Sequence, residues 1–383
     1  MSDMEHHDVI VIGLGAVGSQ ALRVLARRGH RVLGLERFGR AHDRGSSHGH
    51  TRVTRHAYFE HPDYVPLLRV STDAFRALEG ATGTALLEAC GVLLLGPPGS
   101  PVVEASAEAA ARWGVAVEEL GAGQLRERFP AFAVDEHDVG LWEPGGGFVR
   151  PEASILAALQ DAEAHGARVR TGCTVFGIEE SRGGVEVSID GAVLRAGAVV
   201  VAAGAWTARL LPELSGVLRV TRQVQAWIRP DDPASAAPDT LPCWLIDRGP
   251  EPPLYGIPVD PLRPGPPLAK VAVHGSSRTV EPDHLHRSVG ADERVGLAWL
   301  AERFVPGLSG RLVSARTCLY TQTPDEHFII DRAPGSRRVV LAAGLSGHGF
   351  KLSPALGQAV AELAVDGRTD LPVGFLGLAR LRA

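Results

Sequence analysis

The chain has 383 residues, enough for one large domain or two interleaved ones around a sizeable core. Hydrophobic residues make up 45 % and charged residues 22 %, an ordinary globular mix. A formal net charge of −5 gives no global attraction to nucleic acid or an anionic membrane, so any anion site must be local.

The start, Met-Ser-Asp-Met-Glu-His-His-Asp, is acidic and polar, unlike a secretory n-region. No charge-free apolar run approaches the roughly 18 residues of a membrane span. The cysteines Cys90, Cys173, Cys243 and Cys318 form neither a CxxC pair nor a disulfide framework, which points to a reducing cytoplasm.

Residues 8–12 predict a short buried strand. A helix carrying Ala21, Leu22, Val24, Leu25 and Ala26 follows and stops at Gly29, and a second strand at 31–36 ends on Glu36. This βαβ opening implies a parallel sheet. Residues 39–50 are a polar Gly/Ser-rich loop, and 63–79 suit a helix. Segments 84–95 and 104–130 mix strand and helix patterns without settling on either. A helix at 151–166 precedes a strand near 167–171, strand patterns at 175–179 and 185–189, and the apolar run 198–203. Pro-rich stretches at 230–242 and 249–267 read as surface connections within a mainly β region. Residues 339–343 predict another buried strand, followed by a Gly-rich loop and a helix at 353–366. No solenoid period is present.

Gly13-Leu14-Gly15-Ala16-Val17-Gly18 follows the first strand and opens the first helix. Gly13 suits the tight turn, Gly15 lets a pyrophosphate approach the backbone, and Gly18 lets helix and sheet pack closely. The helix N-terminus offers free N–H donors, and Glu36 is placed to accept from an adenosine ribose. The plain alternative is a Gly-rich turn in a chain with 45 glycines, and the motif alone does not separate FAD from NAD.

The segment from Cys318 to Asp331 and the block Ala342-Ala-Gly-Leu-Ser-Gly-His-Gly-Phe-Lys351 resemble the monomeric sarcosine oxidase family, whose relatives include N-methyltryptophan, pipecolate and fructosyl amino acid oxidases. The segment Gly45–Tyr58 resembles the same family, and Val199–Trp206 resembles the wider FAD oxidoreductase superfamily; together the blocks span the chain. The resemblance implies an α/β fold: a Rossmann-type FAD-binding domain with an inserted β-rich substrate domain. The former would take residues 1–80, 150–220 and 312–383, the latter 81–149 and 221–311.

By the same resemblance Cys318 is the attachment point of a covalent FAD; taken alone, it would read as a small core residue. Glycines 344, 347 and 349 around His348 would bring backbone N–H groups to the flavin carbonyl edge. Arg37, Ser46, His48, Val175, Gly204, Trp206 and Lys351 join the expected cofactor surroundings. Arg55 and Lys351 are implied as the grip on a substrate carboxylate, although isolated cations are usually solvated. Lys270 is implied to assist oxygen reduction, with Thr51 and Arg52 on the same side of the ring; its bland reading is an edge-strand lysine. His274, Tyr255 and Tyr320 would shape the amine pocket, with Leu245 on its apolar wall. One departure stands out: His50 occupies a position where related sequences carry an acid. The early histidines, including His48-Gly-His50, match no tetrahedral zinc spacing, so no metal is expected.

The function implied is oxidation of a secondary amine bearing a carboxylate, an N-methyl or cyclic amino acid, with oxygen reduced to peroxide by a cytoplasmic monomer. Open rivals are an amine dehydrogenase with another acceptor, a flavin-holding protein without turnover, and an NAD-dependent dehydrogenase, which would leave Cys318 and the 344–351 block without a role.

Overall fold

Val9 to Ile12 is an uninterrupted β-branched run with all four side chains buried, as a strand covered on both faces requires. In the computed structural model, which describes residues 6–275 and 278–381, the strand His6–Ile12 pairs in parallel with Val32–Leu35 on one side and Ala192–Val201 on the other. The helix Ala16–Arg27 makes the first crossover. Arg168–Arg170 extends the sheet beyond Val32–Leu35, and Val339–Ala343 adds in parallel to the end of Ala192–Val201. Gly184–Ile189, Val175–Ser181 and Ile329–Arg332 complete eight strands through antiparallel pairings. The nucleotide sheet is thus drawn from the start, middle and end of the chain.

Alternation along the first strand sorts two cores. Val9 and Val11 meet Leu22 and Leu25 of the first helix and Leu356 and Val360 of Ser353–Val365. Ile10 and Ile12 face Leu33, Val187, Val199 and Leu341. Each such buried side chain contributes about 1.5–3 kcal/mol.

A second eight-stranded sheet runs in the order Gly310–Gln322, Arg219–Pro230, Ala269–Val273, Leu254–Ile257, Cys243–Ile246, Val92–Gly96, Val139–Glu143 and Glu118–Gly121. Its pairings are antiparallel except where Cys243–Ile246 meets Val92–Gly96. A small third sheet, Arg52–Thr54, Gly147–Val149 and Leu87–Glu88, fixes the segment that carries Thr51, Arg52 and Arg55.

Several elements differ from the sequence reading. The unplaced segments contain the helices Pro101–Trp113 and Ala122–Arg128 as well as strands of the second sheet. Leu254–Ile257 is a strand inside a stretch read as a connection; its flanking prolines stand outside the ladder, where no N–H is missed. The helix Ala291–Phe304 was not expected: only Leu297 and Ala301 are buried, while Val295 and Trp299 lie exposed and blur the apolar stripe. The sequence division put residues from 312 onward with the nucleotide unit. Gly310–Gln322 instead pairs along its whole length with Arg219–Pro230, so Cys318 and Tyr320 stand on the second sheet.

Candidate active site

Gly13 has φ +86°, and a Cβ there would come within 2.5 Å of the Ala202 carbonyl oxygen, so the turn admits no side chain. Gly18 packs against the Gly13 carbonyl, holding the helix start close to the strand end. Gly15 faces the other way: a Cβ there would have only Ser47 Oγ near it, at 3.8 Å, leaving its backbone open to the cleft. The buried Glu36 carboxylate accepts from Leu14 N and Phe38 N, both at 2.9 Å, and lies 3.3 Å from His42 Nε2. Burial works against its charge, but these donors hold its pKa below the ordinary range, so it presents an anion.

From this cradle a cleft of about 400 Å³ extends to the second sheet. Its walls include Gly13, Gly15, Glu36, Arg37, Ser46, Val175, Gly204, Trp206, Gly344, Gly347 and Gly349 on one side and Leu319–Thr321 on the other. Arg37 and Trp206 both donate to Asp283, at 2.9 and 2.7 Å, tying the mouth to Pro282–His284. Length, helix terminus, ribose-side acid and glycine-bared backbone all fit a dinucleotide. His48, expected at the cofactor, is not part of this wall: it is buried behind the far end, within reach of the Arg52 and Lys270 charges, with both ring nitrogens unpartnered among the described residues.

Around that end Arg52 is the hub. Its guanidinium donates to Ser46 O at 2.7 Å and Thr51 O at 2.8 Å, and Nη2 lies 3.8 Å from Cys318 Sγ. Cys318 is buried, its Sγ 3.5 Å from Ser46 O; it stands behind cleft-lining Ser46, Arg52 and Leu319 and is not itself part of the wall. Lys270 is also set back. Its buried Nζ donates to Thr51 O at 2.6 Å and lies 5.8 Å from the Trp227 ring. Burial, with the Arg52 charge beside it, pushes the Lys270 pKa well below its ordinary value. His50, the departing residue, adopts φ +69°, a region histidine tolerates better than most side chains. The Gly49 and His50 N–H groups donate to the Glu152 carboxylate at 2.6 and 3.1 Å.

A second, small cavity of about 60 Å³ adjoins the cleft and shares Arg52, Tyr320, Gly347 and Phe350 with it. Arg55, Lys351, Tyr255, His274 and His348 line it, with Phe59, Leu94 and Leu245 as apolar walls. Lys351, expected at the cofactor as well, lines this cavity and not the cleft, because its stem turns toward Tyr58 and His348. Gly347 makes the junction possible: at φ +86° a Cβ would strike the Tyr320 ring at 2.2 Å. His274 Nδ1 lies 3.4 Å from the Tyr320 hydroxyl, and burial lowers its pKa to about 4, so the ring is neutral at pH 7.

Two residues given no role from sequence complete the polar end. Glu60 pairs with Arg55 at 2.7 Å; burial opposes its charge, but Arg55 and then His348 and Lys351 hold it down at about 2. Tyr58 links Lys351 to His348. His348 Nε2 must donate to Glu326 O at 3.0 Å, since a carbonyl only accepts, so Nδ1 accepts from Tyr58 OH at 2.7 Å. Lys351 Nζ donates to His348 O at 3.1 Å and to Tyr58 OH at 3.5 Å. Burial lowers the Lys351 pKa to about 7, Glu60 resisting the drop and Arg55 adding to it. No spacing rule flags either residue; each is defined by what the fold packs against it.

The family model for FAD dependent oxidoreductases matches residues 8–363. Monomeric sarcosine oxidase of Streptomyces avermitilis is 39 % identical over 381 residues, covering 98 % of both chains. N-methyl-L-tryptophan oxidase of Yersinia pestis is 34 % identical over 381 residues, 98 % of this chain and all of that one. Among solved structures, NikD, an unusual amino acid oxidase essential for nikkomycin biosynthesis, superposes with a TM-score of 0.85 at 27 % identity over 97 % of each chain. With a glycine cradle, an acid at its edge and a cleft reaching Arg52 in front of the buried Cys318, the chain belongs to the FAD dependent oxidoreductase family, in the branch of monomeric sarcosine oxidase and N-methyl-L-tryptophan oxidase.

Proposed function

We propose that the protein oxidises a secondary amine carrying a carboxylate, an N-methyl or cyclic amino acid, to the imine, with oxygen reduced to hydrogen peroxide. The observation that carries this reading is the small cavity, where Arg55 and Lys351 meet an apolar wall at the end of the nucleotide cleft. FAD held in the cleft supplies the two-electron acceptor for the amine and the donor to oxygen.

Arg55 and Lys351 grip the carboxylate, the first through its planar fork and the second as a point charge. Arg55 is already paired with Glu60, so an incoming carboxylate shares or displaces that partner. The grip aims the amine carbon at the mouth shared with the cleft, supplying proximity. Only the free amine has a lone pair to drive loss of hydride. Burial and the charges of Arg52, Arg55 and Lys351 lower the bound amine's proton affinity against the opposing Glu60 carboxylate, and neutral His274 adds no charge of its own. Lys270, its pKa pushed down by burial and Arg52, supplies an N–H donor that gains a proton, and so a positive charge, as negative charge builds during oxygen reduction. The imine then hydrolyses, releasing formaldehyde from an N-methyl group, or leaves as a ring imine.

In this reading Cys318 carries the flavin as a thioether, and Arg52 sets a positive charge 3.8 Å from the sulfur. The name of the relative, monomeric sarcosine oxidase, supports a monomer, and the free cysteines, widely spaced in sequence, support a reducing cytoplasm. The names of the relatives, an oxidase of sarcosine and an oxidase of N-methyl-L-tryptophan, support the amine class.

Anaerobic mixing with a panel of N-methyl and cyclic amino acids tests the proposal. At least one should bleach the flavin absorbance, and admitting oxygen should restore it with one equivalent of peroxide. A flavin that none of them reduces overturns the reading. Acid precipitation tests the link: a colourless pellet excludes the thioether.

A further inference from the structure

The strands Val92–Gly96 and Cys243–Ile246 meet in parallel, with Cys243 opposite Val92. Both supply walls of the amine cavity, Val92 and Leu94 from one and Trp244 and Leu245 from the other. At the entrance to this pair two thiols face each other: Cys90 Sγ lies 3.7 Å from Cys243 Sγ. Cys243 is fully buried in the apolar cluster that also holds Val92, Leu94 and Leu245, while Cys90 is partly exposed.

We propose that Cys90 and Cys243 form an oxidation site behind the wall of the amine cavity, beside its lining residues Val92 and Trp244, a dithiol that hydrogen peroxide converts reversibly into a disulfide. The unequal environments assign the roles. The hydrogen bond from Cys243 holds the Cys90 pKa below its ordinary value against burial, and burial drives that of Cys243 well up. Cys90, reachable from solvent and carrying more thiolate, is the attacking sulfur; Cys243 waits as the resolving thiol. The Cys90 sulfur takes one peroxide oxygen, forming a sulfenic acid and releasing water. The Cys243 sulfur then displaces that hydroxyl as a second water, closing the S–S bond. In sum two thiols lose two protons and two electrons, and one peroxide becomes two waters.

The supply of peroxide rests on the oxidase reading above. Lys270, placed there at the oxygen-reducing step, is near enough for its charge to act on Cys243. The sulfurs must close from 3.7 Å to about 2.05 Å. Cys90 can supply the movement, since it lies in the connection between Leu87–Glu88 and Val92–Gly96, outside either ladder. The closure draws on Val92, so the disulfide form should bind amine differently, with KM changed by about two- to fivefold.

The test uses the reduced, flavin-loaded protein without amine. After a few equivalents of hydrogen peroxide, free thiols are alkylated and the peptides mapped by mass. The expected result is a Cys90–Cys243 linked pair, reversed by dithiothreitol, with Cys173 still alkylated. Cys90→Ser should abolish the link and make KM insensitive to peroxide; in Cys243→Ser, Cys90 should stop at a sulfenic acid that dimedone traps. Full alkylation of both cysteines, or Cys90 over-oxidised beside an intact Cys243 thiol, overturns the proposal. A second arm supplies amine and air with and without catalase. If added peroxide makes the link but turnover does not, the dithiol stands and the oxidase reading fails.

Discussion

Lys351 is charged only at a cost, because it is buried among Tyr58, His348 and the Arg55–Glu60 pair. With its pKa lowered to about 7, it is a cation below neutrality and loses that charge above it. Binding of an amine-free carboxylate, such as a thioether acid, should therefore weaken as pH rises through 7, by at most about tenfold per pH unit. Lys351→Met should weaken binding at pH 6 and flatten the profile, as titration of the flavin spectrum would report; an unchanged slope would remove Lys351 from the grip. Lys270 faces the same conflict, its pKa pushed well down by burial and Arg52, yet it donates to the Thr51 carbonyl at 2.6 Å. Removing one preorganised donor from a reacting centre costs roughly 10²–10³ in rate. Lys270→Met should lower the rate of flavin reoxidation by oxygen on that scale while anaerobic reduction by amine changes little. Stopped-flow traces of the two half-reactions separate these effects.

The elements that position these groups differ in how visible they are in sequence. The first strand, turn and helix can be read directly, since β-branched run, glycine spacing and apolar period all agree. The strand Val339–Ala343 stands where its apolar run predicts it. The helix Ala291–Phe304 could not be read, because so few of its side chains are buried that the pattern carries little signal. Glu60 and Tyr58 were missed for another reason: their meaning lies in partners such as Arg55 and His348, the latter 290 positions away. Gly347 shows both sides of this. The motif marks it as part of a glycine-rich loop, but only the fold shows the Tyr320 ring against its backbone. Gly347→Ala combines a left-handed residue, costing about 1–2 kcal/mol, with a clash against that ring. Tyr320 should shift, raising KM for the amine about tenfold or more while the flavin-to-protein ratio stays near wild type, because the Gly13–Gly15 cradle is untouched. Flavin loss matching the KM change would contradict this division of labour.

At the scale of the whole molecule the cleft is a joint. One wall comes from the nucleotide sheet, through Gly13, Glu36 and Gly344, and the other from Leu319–Thr321 of the second sheet. A cofactor held between them couples its binding to the stability of both units. A thioether at Cys318 would make that coupling permanent, since the sulfur stands on Gly310–Gln322 of the second sheet while the dinucleotide cradle belongs to the first. Cys318→Ser should keep the noncovalent contacts but make folding depend on free FAD. At 100-fold excess over Kd the added stability is about 2.7 kcal/mol, which for a chain of this length raises Tm by roughly 3 °C. The wild-type protein, its flavin tethered, should show no such rise. Thermal melts of both proteins across an FAD series separate the cases: equal dependence on added FAD would mean that the wild type holds its flavin by contacts alone, and a flat Cys318→Ser series would mean that the joint does not stabilise the fold.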